Sequence, residues 1–201
     1  MNLEVELKKT KQAGRKLVSV SDKEIAGVLI KLAGLLRKNR KSILAANRKD
    51  LLKINKNSSI YDRILLNDKR IDELADGLEI IAKYKSPIGR VLEEKTLKNG
   101  LKLKKVSVPL GVVGVIFEAR PNITIDVFAL CFKAKNACVM KGGSDCTLSN
   151  EIFIKMIKKA LGKKWGDAAT LLPNDRKLVA KFMHANDYVD VLIPRGGAGL
   201  I

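Results

Sequence analysis

The sequence predicts an α/β protein: an open sheet with helical crossovers, preceded by a block of helices and a β-hairpin. Three observations carry this. Apolar residues recur at helical spacing through the first 85 residues. The run Val112-Val113-Gly114-Val115-Ile116-Phe117 is continuously apolar and rich in β-formers, as in a strand covered on both faces. Beyond it, short apolar strands alternate with helical segments, which is the pattern of crossover connections.

Taken in order, Ile25, Val28, Leu29, Leu32, Leu35 and Leu36 form one helical stripe, with Ser21 or Asp22 as cap and Glu24 in the first turn. A second helix is expected over about 43–54. A third carries Ile71, Leu74, Leu78 and Ile81, with Asp68 as its cap, and Asn57-Ser58-Ser59 reads as a polar break between them. The Lys85–Arg90 stretch, with Pro87, ends the helical region. Segments 91–97 and 101–106 read as strands joined by the Asn99-Gly100 turn signal. After the 112–117 strand come a helix at 124–133, a buried strand at 137–140 and a helix marked by Leu148, Ile152, Met156, Ile157 and Ala160. Strands at 168–172 and 188–193, with a helix at 175–185 between them, complete the pattern.

The chain has 201 residues, 39 Lys plus Arg against 21 Asp plus Glu, and a formal charge of +18. This balance makes an anionic partner worth testing, and reads equally as a solvated, lysine-rich surface. Aromatic residues are only 4% and do not interleave with the basic ones, so no base-stacking surface and no specific nucleic-acid partner is expected. No apolar run reaches the roughly 18 residues of a membrane span, and Met1–Glu6 does not begin a secretory signal. A cytoplasmic protein with no membrane association is the expectation. Cys131, Cys138 and Cys146 form no CxxC, and His184 is the single histidine, so neither a disulfide scaffold nor a metal site is predicted.

No complete dinucleotide or Walker fingerprint is present: Gly111 and Gly114 surround a strand, and Gly142-Gly143 lacks a third glycine. Two strand exits nevertheless attract attention, because open α/β sheets bind ligands there. One is Glu118-Ala119-Arg120-Pro121-Asn122. Asn122 has an amide donor suited to an oxyanion, and equally suits a helix start; Arg120 suits an acidic substrate or a surface ion pair. The other is Lys141-Gly142-Gly143-Ser144. Here Lys141 reads as a contact to a cofactor ribose or phosphate or as a solvated lysine, and Ser144 as a cap for the next helix.

Longer blocks carry a resemblance. They are Ile43–Asp50, Asp62–Leu66, Val108-Pro109-Leu110-Gly111-Val112-Val113-Gly114-Val115-Ile116-Phe117-Glu118-Ala119-Arg120-Pro121-Asn122, Lys141–Ser144, Ser149-Asn150 and Ile193–Ile201. Through them the chain resembles the gamma-glutamyl phosphate reductases, the proline-biosynthesis branch of the aldehyde dehydrogenase superfamily. The resemblance implies an aldehyde dehydrogenase-like fold with a partial Rossmann-type parallel sheet, N-terminal helices and a β-hairpin arm. Residues 1–90 would be the helical part of the cofactor-binding domain, 91–108 the oligomerisation arm and 109–201 a partial NADP-binding region. It implies NADPH-dependent reduction of L-glutamyl 5-phosphate to glutamate 5-semialdehyde and phosphate, through a thioester on a cysteine.

By the same resemblance Asn122 stabilises the oxyanion and Arg120 orients the substrate. Lys141, Gly142, Gly143, Ser144, Gly196 and Gly197 lie on the cofactor side. Complete members of that family are about twice as long, and their nucleophilic cysteine lies beyond the last glycine block quoted. None of the three cysteines here matches its motif. The 201-residue chain is therefore expected to be inactive or nearly so by itself, and its expected partner is a second copy or a complementary C-terminal half.

Overall fold

The computed structural model describes residues 1–196. Five helices come first: α1 (Leu3–Leu17), α2 (Asp22–Lys38), α3 (Arg40–Leu51), α4 (Ser59–Ile64) and α5 (Asp68–Lys83). A hairpin of β1 (Val91–Thr96) and β2 (Lys102–Val106) follows. Then come β3 (Val112–Phe117), α6 (Asn122–Lys133), β4 (Ala137–Lys141), α7 (Thr147–Trp165), β5 (Ala169–Leu171), α8 (Arg176–Met183) and β6 (Val191–Arg195).

The helix starts show how local chemistry sets boundaries. At α2, Ser21 accepts from the Glu24 backbone N–H while the Glu24 carboxylate accepts from the Ser21 backbone N–H, a reciprocal capping box. Asp68 does not cap α5, as the sequence suggested; it lies inside the first turn, and the Asn67 side chain accepts from the Arg70 N–H at 2.8 Å. The polar stretch 57–59 is not only a break, because Ser58 caps the short α4. The last strand is shifted from 188–193 to Val191–Arg195. Tyr188 and Val189 donate back to Ala185 in a turn, and Asp190 donates to Val112 as the chain enters the sheet.

Glu24 also receives a 2.8 Å hydrogen bond from the Lys164 ammonium. Lys164, then the Ser21 backbone and hydroxyl, hold its carboxyl at about 2, against an ordinary value of 4.5. A value lowered on folding means stabilisation that is complete above about 4.5 and lost as pH falls toward 2. The melting temperatures of the protein and its Glu24→Gln variant are therefore expected to differ at neutral pH and converge on acidification. A gap independent of pH would contradict this.

The parallel sheet has the order β5-β4-β3-β6. All six residues of β3 are buried, and β4 is buried until Lys141. Each fully buried Val, Ile or Phe contributes about 1.5–3 kcal/mol. Helix α1 packs directly on β3, β4 and β5; α6 and α7 follow their strands, with α2, α3 and α5 packed on them. Thr10 on α1 and Thr170 on β5 share a buried hydroxyl hydrogen bond at 2.8 Å.

The hairpin stands apart from this core. Every residue of β1 and β2 is exposed. Its pairing is antiparallel with a bulge between Val91 and Glu93, a cross-strand Glu94–Lys104 ion pair at 3.3 Å and Gly100 at φ +84° in the turn.

Candidate functional site

The topology selects the place to look. From β3 the chain moves outward through β4 to β5, then returns through α8 to set β6 on the other side of β3. The order therefore reverses between β3 and β6, and the crevice beyond their carboxyl ends is the natural ligand position. Phe117 is in register with Arg195 there, and Ile116 with Lys141 on the other side.

A cavity of about 660 Å3 opens at this edge. Its lining includes Arg63, Glu118, Arg120, Lys141, Gly143, Ser144, Asp145, Arg195 and Gly196. Four cations thus face two acids. Among the described residues, none of the four basic side chains makes an ion pair or hydrogen bond. Unpaired cations around a concave edge favour an anion.

The Gly142-Gly143 turn makes the cavity's floor possible by close approach. A Cβ on Gly142 would lie 2.1 Å from Asn150 Nδ2, and one on Gly143 would lie 3.0 Å from the Ala119 backbone nitrogen. Ala119 itself leaves β3 at φ +34°, an uncommon conformation for a residue with a side chain. Below the turn runs a buried polar chain. Thr124 donates to Asn150 Oδ1 at 2.9 Å, Asn150 Nδ2 donates to Cys146 Sγ at 3.3 Å, and Cys146 Sγ reaches the Gly143 carbonyl at 3.7 Å.

Asp50, wholly buried, accepts from the Leu148 and Ser149 N–H groups and from the Ser149 hydroxyl. Asn47 bridges the Ile64 carbonyl, the Leu66 N–H and the Ser149 hydroxyl. These two residues of α3 tie the start of α7, and with it the glycine turn, to the helical block.

A second cavity, about 480 Å3, lies between α5 and α6 and shares Arg63 and Arg120 with the first. Asn122 and Asp126 line it from one face of α6, and Asn122 Nδ2 donates to Asp126 Oδ2 at 3.1 Å. Partial burial raises the Asp126 pKa, while the Asn122 hydrogen bond and the Arg195 charge pull it back.

The residues singled out in the sequence are thus partly gathered. Arg120, Lys141, Gly143, Ser144 and Gly196 line the edge cavity; Asn122 lies in the adjoining one. Gly142 is turned toward Asn150, and Gly197 lies outside the described residues. Ser144 does not cap α7. It opens a 3-10 turn, Ser144–Cys146, and the capping task falls to Asp50 from α3; Ser144 contributes only its carbonyl, to the Thr147 hydroxyl. Sequence reasoning did not single out Arg63, Asp126 or Arg195. A signal did exist for Asp126, the one acid in the apolar run Ile123–Phe132.

None of the three cysteines lines either cavity. Burial pushes Cys146 up to about 11, and the neighbouring Cys131 together with burial pushes Cys138 well above the ordinary thiol value of 9.0. Buried thiols of this kind are poor nucleophiles. Among the described residues, no three His, Cys, Asp or Glu side chains are grouped to hold a metal, and no helix is long and apolar enough to cross a membrane.

No family model matches the chain. A gamma-glutamyl phosphate reductase of Chlorobium phaeobacteroides is 46% identical over 198 residues, 98% of this chain and 48% of that protein. The crystal structure of a gamma-glutamyl phosphate reductase from Thermotoga maritima superposes with a TM-score of 0.94 at 35% identity, covering 100% of this chain and 50% of that one. A benzaldehyde dehydrogenase of Corynebacterium glutamicum shares the fold at a TM-score of 0.77 and 17% identity, over 98% of this chain and 41% of its own. The chain spans about half the length of the curated relatives it matches. Over its whole length it has an aldehyde dehydrogenase-like fold and matches the N-terminal half of the gamma-glutamyl phosphate reductases.

Proposed function

We propose that this chain forms the cofactor side of an NADPH-dependent reductase that converts L-glutamyl 5-phosphate to glutamate 5-semialdehyde and phosphate. The observation that carries the reading is the cavity at the carboxyl edge of β3, β4 and β6, with the Arg63, Arg120, Lys141 and Arg195 side chains making no ion pair among the described residues. Such a site fits a dinucleotide phosphate: cations for the phosphates, and a glycine turn that brings backbone close to the ligand. Lys141 and Arg195 would hold NADPH with Gly143, Ser144 and Gly196; Gly142 shapes the turn, and Gly197 follows on the same segment. Bound there, NADPH supplies a hydride.

Asn122, at the start of α6, is the amide donor for the substrate's carbonyl oxygen, and Arg120 holds the acyl phosphate. The thioester step of that activity needs a thiolate that Cys131, Cys138 and Cys146 do not place at either cavity. The 201-residue chain is accordingly expected to bind cofactor without turnover. The exposed hairpin is the arm that pairs with a second copy or a complementary half, since a two-stranded ribbon is marginal alone.

Titration of the purified chain with NADPH and NADH, followed by nicotinamide fluorescence, tests the reading. Saturable binding is expected, about tenfold tighter for NADPH, with that preference falling in Lys141→Ala. A folded chain that binds neither dinucleotide would refute it.

A further inference from the structure

The cavity between α5 and α6 has a charge pattern that cofactor binding does not use. Several charged residues line it, but most are already engaged. Arg70 is held by Asp62 and two carbonyls, and Glu73 lies 3.9 Å from the Lys69 ammonium. Three remain: Arg63 and Arg120, which make no ion pair among the described residues, and Asp126, which accepts from Asn122, feels the Arg195 charge and makes no ion pair among the described residues. Between them the wall is aliphatic, with Leu74 and Ile81 from α5 and Ile125 from α6. A ligand that satisfies this set has a cationic group, at least one anionic group and a short aliphatic chain.

Asn122 and Asp126 stand one turn apart on α6, so both face the same side of the cavity. The Asn122 amide nitrogen carries two hydrogens and gives one to Asp126. The acceptor-only carboxylate thus turns that nitrogen, not the amide oxygen, toward it and leaves the second N–H free for an incoming oxygen. The two side-chain groups stand 3.1 Å apart, so a carbonyl oxygen on the second Asn122 N–H and an ammonium on the Asp126 carboxylate, each at hydrogen-bond distance on outward sides, can be joined by a three-carbon chain.

We infer that Asp126 is the receptor for the α-ammonium group of an amino-acid substrate, which makes the α5–α6 cavity a subsite specific for side-chain acyl phosphates of amino acids over their des-amino counterparts. This rests on the functional reading above and adds to it the residue that sets substrate class. Arg120 and Arg63 take the anionic groups, and the aliphatic wall takes the methylene chain.

The test uses two stable probes on the 201-residue chain: a phosphonate analogue of γ-glutamyl phosphate and the same molecule lacking its amino group. Affinities are measured by calorimetry. The amino probe is expected to bind about tenfold more tightly, the scale of one charge-assisted contact. Asp126→Asn, which keeps the side chain's shape, is expected to bring the ratio toward one, and Asp126→Glu to restore part of it. Arg120→Ala should weaken both probes about equally. Equal affinities in the unmodified protein, or a ratio unmoved by Asp126→Asn, would overturn the inference. NADPH titration of the same samples separates the failures: dinucleotide binding without amino discrimination removes this inference alone, whereas a folded protein that binds neither NADPH nor the amino probe removes both readings.

Discussion

Replacing Asp50 by alanine is expected to lower the unfolding free energy by about 3–5 kcal/mol. The side chain is wholly buried and accepts three hydrogen bonds, from Leu148 N–H at 3.2 Å and from Ser149 N–H and Oγ at 2.8 Å. Two of these donors are backbone groups at the start of α7, where no intrahelical acceptor exists. Alanine would leave them dry and unpaired, a penalty larger than the loss of an exposed cap. Asp50→Asn keeps one acceptor oxygen and should lose about half as much. Urea unfolding of the three proteins measures the difference; a loss for Asp50→Ala below about 1 kcal/mol would show that water or a shifted side chain replaces the carboxylate.

Gly142→Ala is expected to destabilise by about 2–4 kcal/mol. The added methyl would stand 2.1 Å from Asn150 Nδ2 and 3.3 Å from Phe117 Cε2. Asn150 cannot simply swing away, because it is buried and holds both Thr124 and Cys146. The clash therefore spreads into that polar chain and moves the turn that lines the edge cavity. The double variant Gly142→Ala/Asn150→Ala distinguishes this cause. If the two side chains compete for one space, it will lose less than the sum of the single variants. Strict additivity would mean the destabilisation arises elsewhere.

The contrast between these residues and those legible in the sequence has a physical basis. Strand β3 was legible because burial on both faces writes itself as an unbroken apolar run, and the start of α2 because Ser21 and Asp22 are both capping residues ahead of an apolar stripe, although the choice of Ser21 came only with its bond to Glu24. Both signals are local. Asp50 follows Arg48-Lys49 and reads as part of a solvated helix face; its partners lie 98 and 99 residues away on α7. No periodicity reveals such a bond.

The same holds for the candidate site. The strand exits at Arg120 and Lys141 were visible as motifs, but their convergence with Arg63 and Arg195 depends on the strand order, which the sequence pattern left open. Asn67 and Asp68 compete for one cap, and propensity alone does not choose between adjacent residues of nearly equal capping strength.

The strand order also sets a timetable. Entry into β4 follows closely on β3, as the hydrogen bond between Gly111 and Asn136, 25 residues apart, shows; the bond between Val112 and Asp190, which admits β6, spans 78 residues. During synthesis the β3-α6-β4-α7-β5 unit and the helices packed on it can consolidate while β6 is still being made. The long loop closure makes β6 the last strand to dock. Weakening β6 should therefore leave the folding rate nearly unchanged and speed unfolding, whereas equal damage to β3 or β4 should slow folding itself. The crevice beside β6, where the cations gather, is then expected to form after the rest of the four-stranded sheet.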